Sequence, residues 1–352
     1  MCPYSLTVPG GVQGQVLALA RSLRALGHEV RVLAPCDGPP PDAGVTPLGN
    51  SIPFATNGSV APLAPDLPCA LRTIRALRDE DFDVVHLQEP FCPGPTLTTL
   101  LFSDRPMVGT FHRSGASRTY SALKPVAQRV GRRLDAMVAV SKDALATARP
   151  AVGDAAEVEL LFNAIEVERF AKAPPHPADG PTVFFLGRHE ERKGLGVLLE
   201  ALAWLPRDVT VWVAGEGPQT AELQAAYGGD ARIQWLGRIN DEEVASRLRG
   251  ADVFCAPSLH GESFGVVLLE AMASHTAIVA SDLPGYRNVA TPEVDALMTP
   301  PGDAVALGSA INRVLGDQSL AADLVAAGEH RANEFSMDRL AELYLALYER
   351  VG

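Results

Sequence analysis

Short β-branched runs alternate with longer segments of helical periodicity along the whole chain, the pattern of parallel α/β sheets. In the first half, VRVLA (30–34), VVHLQ (84–88), MVGTF (107–111), MVAV (137–140) and VELLF (158–162) predict strands. The Pro-rich stretch AKAPPHPADGP (171–181) reads as a linker. Beyond it, TVFFLG (182–187), VTVWVAG (209–215), RIQWLG (232–237), DVFCAP (252–257) and TAIVAS (276–281) predict a second set of strands, with helices between. The expected fold class is α/β, with two Rossmann-like doubly wound domains at residues 1–171 and 172–336. An amphipathic helix, DRLAELYLALYER (338–350), falls in a last segment, 337–352, expected to pack back towards the N-terminal domain. Ligands of such sheets sit beyond the carboxyl ends of the strands, so two facing domains predict a cleft.

Gly10-Gly11 ahead of VQGQVLALARSLRALG reads as a tight turn into a helix, the usual first turn of such a domain. The strand that should precede it is reduced to at most Met1-Cys2. A start assigned a few codons late is the expectation, with the rest of that strand upstream.

Composition narrows the class. At 352 residues, 47% hydrophobic and 20% charged, the chain is an ordinary globule long enough for two cores. No run approaches the length of a transmembrane helix, and MCPYSLTVPGG lacks the features of a signal peptide. Five scattered cysteines with no C-x-x-C pair argue against a disulfide framework or a zinc site and fit a reducing cytoplasm. The formal charge of −12 is uneven: residues 1–171 sum to −1 and residues 172–352 to −11. Within the nearly neutral half, Arg113, Arg118, Lys124, Arg129, Arg132 and Arg133 stand with no acid among them. A solvated helix face is the ordinary account of such a run, and an anionic surface is the other. Nucleic acid fits poorly, since no aromatic residues are interleaved and the whole chain is acidic.

The stretch LHGESFGVVLLEAMA (259–273) admits two readings. Gly261-Glu262-Ser263-Phe264-Gly265 matches G-x-S-x-G, the nucleophile elbow of serine hydrolases, with Asp282 or Asp295 and His330 as formal triad partners. Yet Ser263 lies six residues past the predicted strand end, where an elbow needs a sharp turn. The other reading rests on Glu262 and Glu270. A glycine-flanked helix start favours an anion such as a diphosphate. A carboxylate at 270, inside an apolar helix pattern, needs a partner, and a ribose diol offers two hydroxyls. A surface glutamate is the bland account of Glu270.

GRHEERKG (187–194) leaves the first strand of the second domain, placing Arg188 and Lys193 where they could neutralise a diphosphate, although a charged surface loop is common. His112 ends MVGTF, a position more often held by a structural hydrogen-bonder. Gly215-Glu216-Gly217-Pro218 lacks the third glycine of a dinucleotide fingerprint. The D-x-D matches at 79–83 precede a strand and read as a solvated turn.

Together these residues resemble the retaining GT-B glycosyltransferases of family four. In that family a double-glycine loop opens the chain, a His follows a strand of the first domain, an Arg/Lys pair opens the second, and an E-x7-E motif binds the donor. Gly10-Gly11, His112, Arg188/Lys193 and Glu262/Glu270 stand in that order across nearly the whole chain. Within the family, CPYS-x3-PGGVQ, NGSVA, TFH, GRHEERKG, ADVFCAP and GESFGVVLLEAMA are most similar to the bacterial phosphatidylinositol mannosyltransferases.

The resemblance implies GDP-mannose as the nucleotide-sugar donor, phosphatidyl-myo-inositol as the anionic lipid acceptor, and no required cofactor or metal. It implies a cytoplasmic enzyme held peripherally on the inner face of the plasma membrane. His112, Arg188, Lys193 and Glu262 would be catalytic. Gly10, Gly11, Arg192, Ile239, Asn240 and Asp241 would join them around the donor, as would Ser263, Phe264, Gly265, Val266 and Glu270. Tyr4, Gln13, Asn57, Ser59 and His112 would hold the acceptor, and the cations at 113–133 would meet the membrane, extended by Arg72, Arg75 and Arg78. Departures cluster on the acceptor side. Thr56, Pro62, Arg113 and Ser117 stand where the subgroup has Tyr, Arg, Thr and Lys, and Val244 replaces a Lys near the expected base contact. Another donor or acceptor, a nucleotide-sugar epimerase or phosphorylase, a hydrolase using Ser263 and a non-catalytic paralogue stay open, as does the oligomeric state.

Overall fold

The structure is a computed structural model that describes all residues except 9, 57–58, 114–123 and 263, with residues 55–56, 59–60 and 124–126 described by backbone alone. The chain forms two compact units, Met1–Asn163 with Met337–Gly352, and Ala164–Ser336. The change of unit falls at Asn163/Ala164, before the Pro-rich stretch expected to mark it. The reason is local: Ile165 is bridged to Ser336, and its N–H donates to the Phe335 carbonyl, so the chain is already tied to the second unit at that point.

The second unit carries a six-stranded parallel sheet in the order Ile233–Gly237, Thr210–Ala214, Thr182–Leu186, Val253–Ala256, Ala277–Ser281, Leu297–Thr299. The predicted strands recur here, trimmed by a residue or so, and Leu297–Thr299 is an addition. Its central strands are buried on both faces, which is why they read as continuous apolar runs. Val183, Val211, Val253, Val279, Leu198 and Ile311 belong to one core that the flanking helices close. Chain order reverses between Thr182–Leu186 and Val253–Ala256, the switch point at which a doubly wound sheet opens a crevice.

The first unit has a four-stranded parallel sheet, Val85–Gln88, Met107–Phe111, Ala136–Ala139 and Glu159–Leu160. A separate parallel pair joins Val32–Ala34 to Val45–Pro47, and Ile52–Thr56 with Ser59–Leu63 makes an antiparallel hairpin. The last three strands of that group are absent from the sequence-based assignment, because short runs punctuated by Pro and Gly carry no periodicity. Residues 1–2 supply backbone links on both sides: Cys2 N–H to Leu33 O, and Gln88 N–H to Met1 O, both 3.0 Å. The helix Met337–Val351 packs on Gly11–Ala25, where Ser22 Oγ donates to Asp338 Oδ1 at 2.8 Å.

Candidate functional site

Two loops leave the strands that flank the switch point, residues 187–194 and 257–265, and both were singled out by sequence. They are joined by backbone. The Leu259 N–H donates to the Arg192 carbonyl at 2.8 Å. Gly194 sits at φ 68°, and a Cβ on it would fall 1.9 Å from the Pro257 carbonyl oxygen. Only glycine permits both the left-handed backbone and this approach. Gly265, at φ 94°, precedes the helix Val266–Ala273, and a Cβ there would meet the Tyr286 ring at 2.8 Å.

The charges of the two loops are bonded to each other. Lys193 Nζ donates to Glu262 Oε1 at 2.7 Å, Ser258 Oγ donates to the same oxygen at 2.9 Å, and Arg192 Nη1 lies 3.7 Å away. Ser258 is in turn 3.0 Å from the buried Tyr286 hydroxyl, which burial and then the Glu262 charge push up from its ordinary pKa. Arg188 is the open cation, its side chain 55% exposed and 3.6 Å from Glu190. Glu190 also pairs with Arg192 at 3.3 Å. Among these bonded charges three cations, Arg188, Arg192 and Lys193, share two acids, Glu190 and Glu262, with Arg188 the least restrained. The Phe264 ring is buried and packs edge-on against Phe335, centroids 5.7 Å apart, so it anchors the loop. Val266 is half-buried at the helix start.

Glu270 is partly buried about one turn along that helix, and no hydrogen bond or ion pair to its carboxylate exists among the described residues. Burial pushes its carboxyl up to about 7, opposed by Arg169 and reinforced by Asp241. Arg169 and Asp241 pair with each other at 3.2 Å. The neighbouring Asn240 caps the helix Asp241–Gly250, its side-chain oxygen accepting from the Glu243 N–H at 2.8 Å. Ile239 is half-buried beside it.

In the first unit, His112 follows the strand Met107–Phe111 and is held at both ends. Glu89 Oε1 accepts from the backbone N–H of His112 at 2.5 Å and of Arg113 at 2.7 Å, while Gln88 Oε1 lies 2.5 Å from His112 Nε2. Glu89 adopts φ 51°, in the left-handed region unusual for its type, and is buried. Burial lowers the His112 imidazole to about 4, so the ring is neutral at physiological pH. Gly10 caps the helix Gly11–Ala25 in extended backbone, and a Cβ on it would strike the Gln13 side chain at 2.4 Å. Gln13 was expected to face an acceptor. Its amide nitrogen donates to the Val8 carbonyl at 3.1 Å and the Ser5 carbonyl at 3.4 Å, bracing the glycine loop. Tyr4 is bridged to Leu63, and burial, then Glu89, push its hydroxyl up.

Asn57, Arg118 and Ser263 lie outside the described residues, and the side chains of Ser59 and Lys124 do as well. Arg129, Arg132 and Arg133 are exposed, and Arg133 donates to the Ser103 carbonyl at 2.5 Å. The suggested extension through Arg75 and Arg78 is compensated, since both pair with Asp79, at 3.1 and 3.4 Å. Leu67 and Leu71 on the same helix, Leu67–Asp79, are 69% and 57% exposed. No described helix is long and apolar enough to cross a membrane.

The hydrolase elbow fails on geometry. The strand ends at Ala256 and the helix starts at Val266, leaving a long loop where an elbow needs one tight turn. Asp282 is paired with Arg287, Asp295 accepts from the Thr291 N–H, and His330 is exposed beside Glu334. The D-x-D residues form no metal-type cluster among the described residues. Sequence reasoning missed Gln88, Glu89, Arg169, Ser258 and Tyr286. Only the first two left a signal, two polar residues ending an apolar strand before Pro90.

Residues 9–169 match the family model described as Glycosyltransferase Family 4, and residues 166–331 match Glycosyl transferases group 1. A phosphatidyl-myo-inositol mannosyltransferase of Mycobacterium leprae is 39% identical, covering 100% of this chain and 96% of its own. That of Mycolicibacterium smegmatis is 38% identical, covering 100% and 93%. Among solved structures, Anabaena HepE in complex with UDP and glucose superposes with a TM-score of 0.75 at 19% identity, covering 99% of this chain and 98% of its own.

Proposed function

The chain belongs to family 4 of the GT-B glycosyltransferases, and from that premise we propose that it moves mannose from GDP-mannose to a phosphatidyl-myo-inositol lipid with retention at the anomeric carbon. The full-length identity of 38–39% to relatives named for that acceptor and sugar carries the reading.

The site residues supply a consistent chemistry. The open helix start after Gly265 and the cations Arg188, Arg192 and Lys193 would hold the donor diphosphate and stabilise it as it leaves. Glu262, already oriented by Lys193 and Ser258, would accept from sugar hydroxyls, and the Glu270 carboxylate, bonded by no described residue, from the ribose diol. The bond from anomeric carbon to diphosphate oxygen breaks, a bond to the acceptor hydroxyl oxygen forms on the same face, and the hydroxyl proton passes to the departing diphosphate. No protein nucleophile enters this scheme. The exposed Arg129 and Arg132, with Leu67 and Leu71, would meet an anionic bilayer, so that the enzyme works peripherally at a membrane. The anomeric configuration of the product, read by NMR, tests the stereochemistry: an α-mannoside supports retention, and a β-mannoside refutes it.

A further inference from the structure

Gln88 ends the strand Val85–Gln88, is buried, and joins two imidazoles through its amide. Its oxygen lies 2.5 Å from His112 Nε2, and its nitrogen 3.1 Å from His86 Nε2. His86 is bonded at Nδ1 to the Tyr348 hydroxyl and at Nε2 to Thr110 Oγ1, each at 2.7 Å. Thr110 Oγ1 lies 3.0 Å from the Tyr344 hydroxyl. Both tyrosines sit on the helix Met337–Val351, their rings stacked 5.9 Å apart, with His86 against Tyr344 at 4.8 Å. A polar line thus runs from Tyr348 through His86 and Gln88 to His112. Burial holds His86 well below its ordinary pKa and His112 at about 4, so both rings are neutral.

We propose that Gln88 is a positioning residue that fixes His112 as its Nε2–H tautomer, and that His86 and Tyr348 hold the Gln88 amide in the orientation that does so. An amide has one accepting end and one donating end. The donating end faces His86 Nε2, which must then carry a lone pair that also accepts from the Thr110 hydroxyl, leaving the His86 hydrogen on Nδ1 to be donated to the Tyr348 oxygen. The accepting end faces His112 Nε2, which must therefore carry the hydrogen of that neutral ring. His112 Nδ1 is left as an acceptor, and no described residue bonds it. Held so, His112 accepts from a hydroxyl and can neither donate through Nδ1 to a phosphate nor supply a charge. The inference rests on the reading of His112 as a substrate contact and names what it recognises there, a hydroxyl of the transferred sugar or of the acceptor alcohol.

The test is the tautomer itself. Nitrogen-15 spectra of the full chain with labelled histidine, assigned by His112→Asn, should show Nε2 protonated and Nδ1 bare at pH 7. A ring protonated at Nδ1 would overturn the proposal, since it places the amide the other way round. Gln88→Leu should give a mixture of tautomers and lower kcat/KM on the order of 10–100-fold, the scale of a misplaced contact. Tyr348→Phe should move the tautomer ratio in the same direction. A loss of thermal stability in both variants with the tautomer unmoved would reduce the line to a structural role and end the proposal. In Gln88→Leu, weaker GDP-mannose binding with unchanged GDP binding assigns the hydroxyl to the sugar. A raised acceptor KM alone assigns it to the acceptor. The spectroscopic result is independent of turnover, so a wild-type chain that never uses GDP-mannose refutes the functional reading and leaves the tautomer to be judged by itself.

Discussion

Lys193 Nζ and Glu262 Oε1 lie 2.7 Å apart, across the two loops of the sheet's switch point. A cation suited to the donor diphosphate and a carboxylate suited to its sugar therefore form one unit before any donor arrives. Lys193→Met should lower kcat on the order of 10²-fold or more, the cost of removing one preorganised donor. Glu262→Gln should be comparably impaired. Because the two share a bond, the double variant should be less impaired than the product of the singles, by a coupling of about 0.5–3 kcal/mol. Steady-state kinetics of the four proteins decide this, and strict additivity would show that the pair acts as two independent groups.

The loops depend on backbone that only glycine supplies. Gly194→Ala forces a Cβ to within 1.9 Å of the Pro257 carbonyl oxygen at φ 68°. Beyond the left-handed penalty of roughly 1–2 kcal/mol, the loops must separate. Thermal unfolding should fall and donor binding should weaken together. Gly11→Ala, with open space around the added carbon, should be far milder in unfolding.

A Glu270 carboxylate that holds the donor ribose should make donor binding sensitive to pH. Its carboxyl titrates at about 7, raised chiefly by burial. The ionised form is the one that accepts from a ribose diol, so affinity should be full above that pH and decline as pH falls through it. Calorimetric titration of GDP between pH 5.5 and 8.5 measures this, and Glu270→Gln should flatten the profile. Stability carries the opposite sign. A carboxyl raised above its unfolded value loses stability as pH climbs from the ordinary carboxylate range to about 7, so Glu270→Gln should melt above the parent at pH 8.

The exposed cations should act at a bilayer. Replacing Arg129 and Arg132 with Ser removes two exposed charges, each worth about 1 kcal/mol near an anionic surface, so vesicle partitioning should fall about tenfold or more. The difference should shrink at high salt. Equal partitioning of parent and variant at low salt would move the docking surface elsewhere.

Much of this site was legible because its chemistry is local. GRHEERKG runs from just past a strand end to the glycine before a helix, GESFGVVLLEAMA carries its glycine and helix start in one contiguous string, and the parallel strands announce themselves as apolar runs. What stayed hidden depends on residues far apart in sequence. Nothing in the string tells that Lys193 spends its charge on Glu262, that Tyr286 supports Ser258, or that Tyr348 reaches His86 across 262 positions. For Gln13 and Phe264 a motif position specifies a neighbourhood, while their packing against their own loops shows only in the fold. The division between units was misplaced because prolines marked the linker and a two-residue bridge at Ile165 marked the boundary.

The central claim is most directly tested by GDP release from GDP-mannose, with UDP-glucose in parallel, in the presence and absence of phosphatidylinositol vesicles. The account predicts release that requires both GDP-mannose and the inositol lipid, and that is lost in His112→Ala. Turnover of UDP-glucose in place of GDP-mannose, or lipid-independent transfer to another alcohol, would contradict it. The second outcome would mark Thr56, Pro62, Arg113 and Ser117 as the residues of a different acceptor.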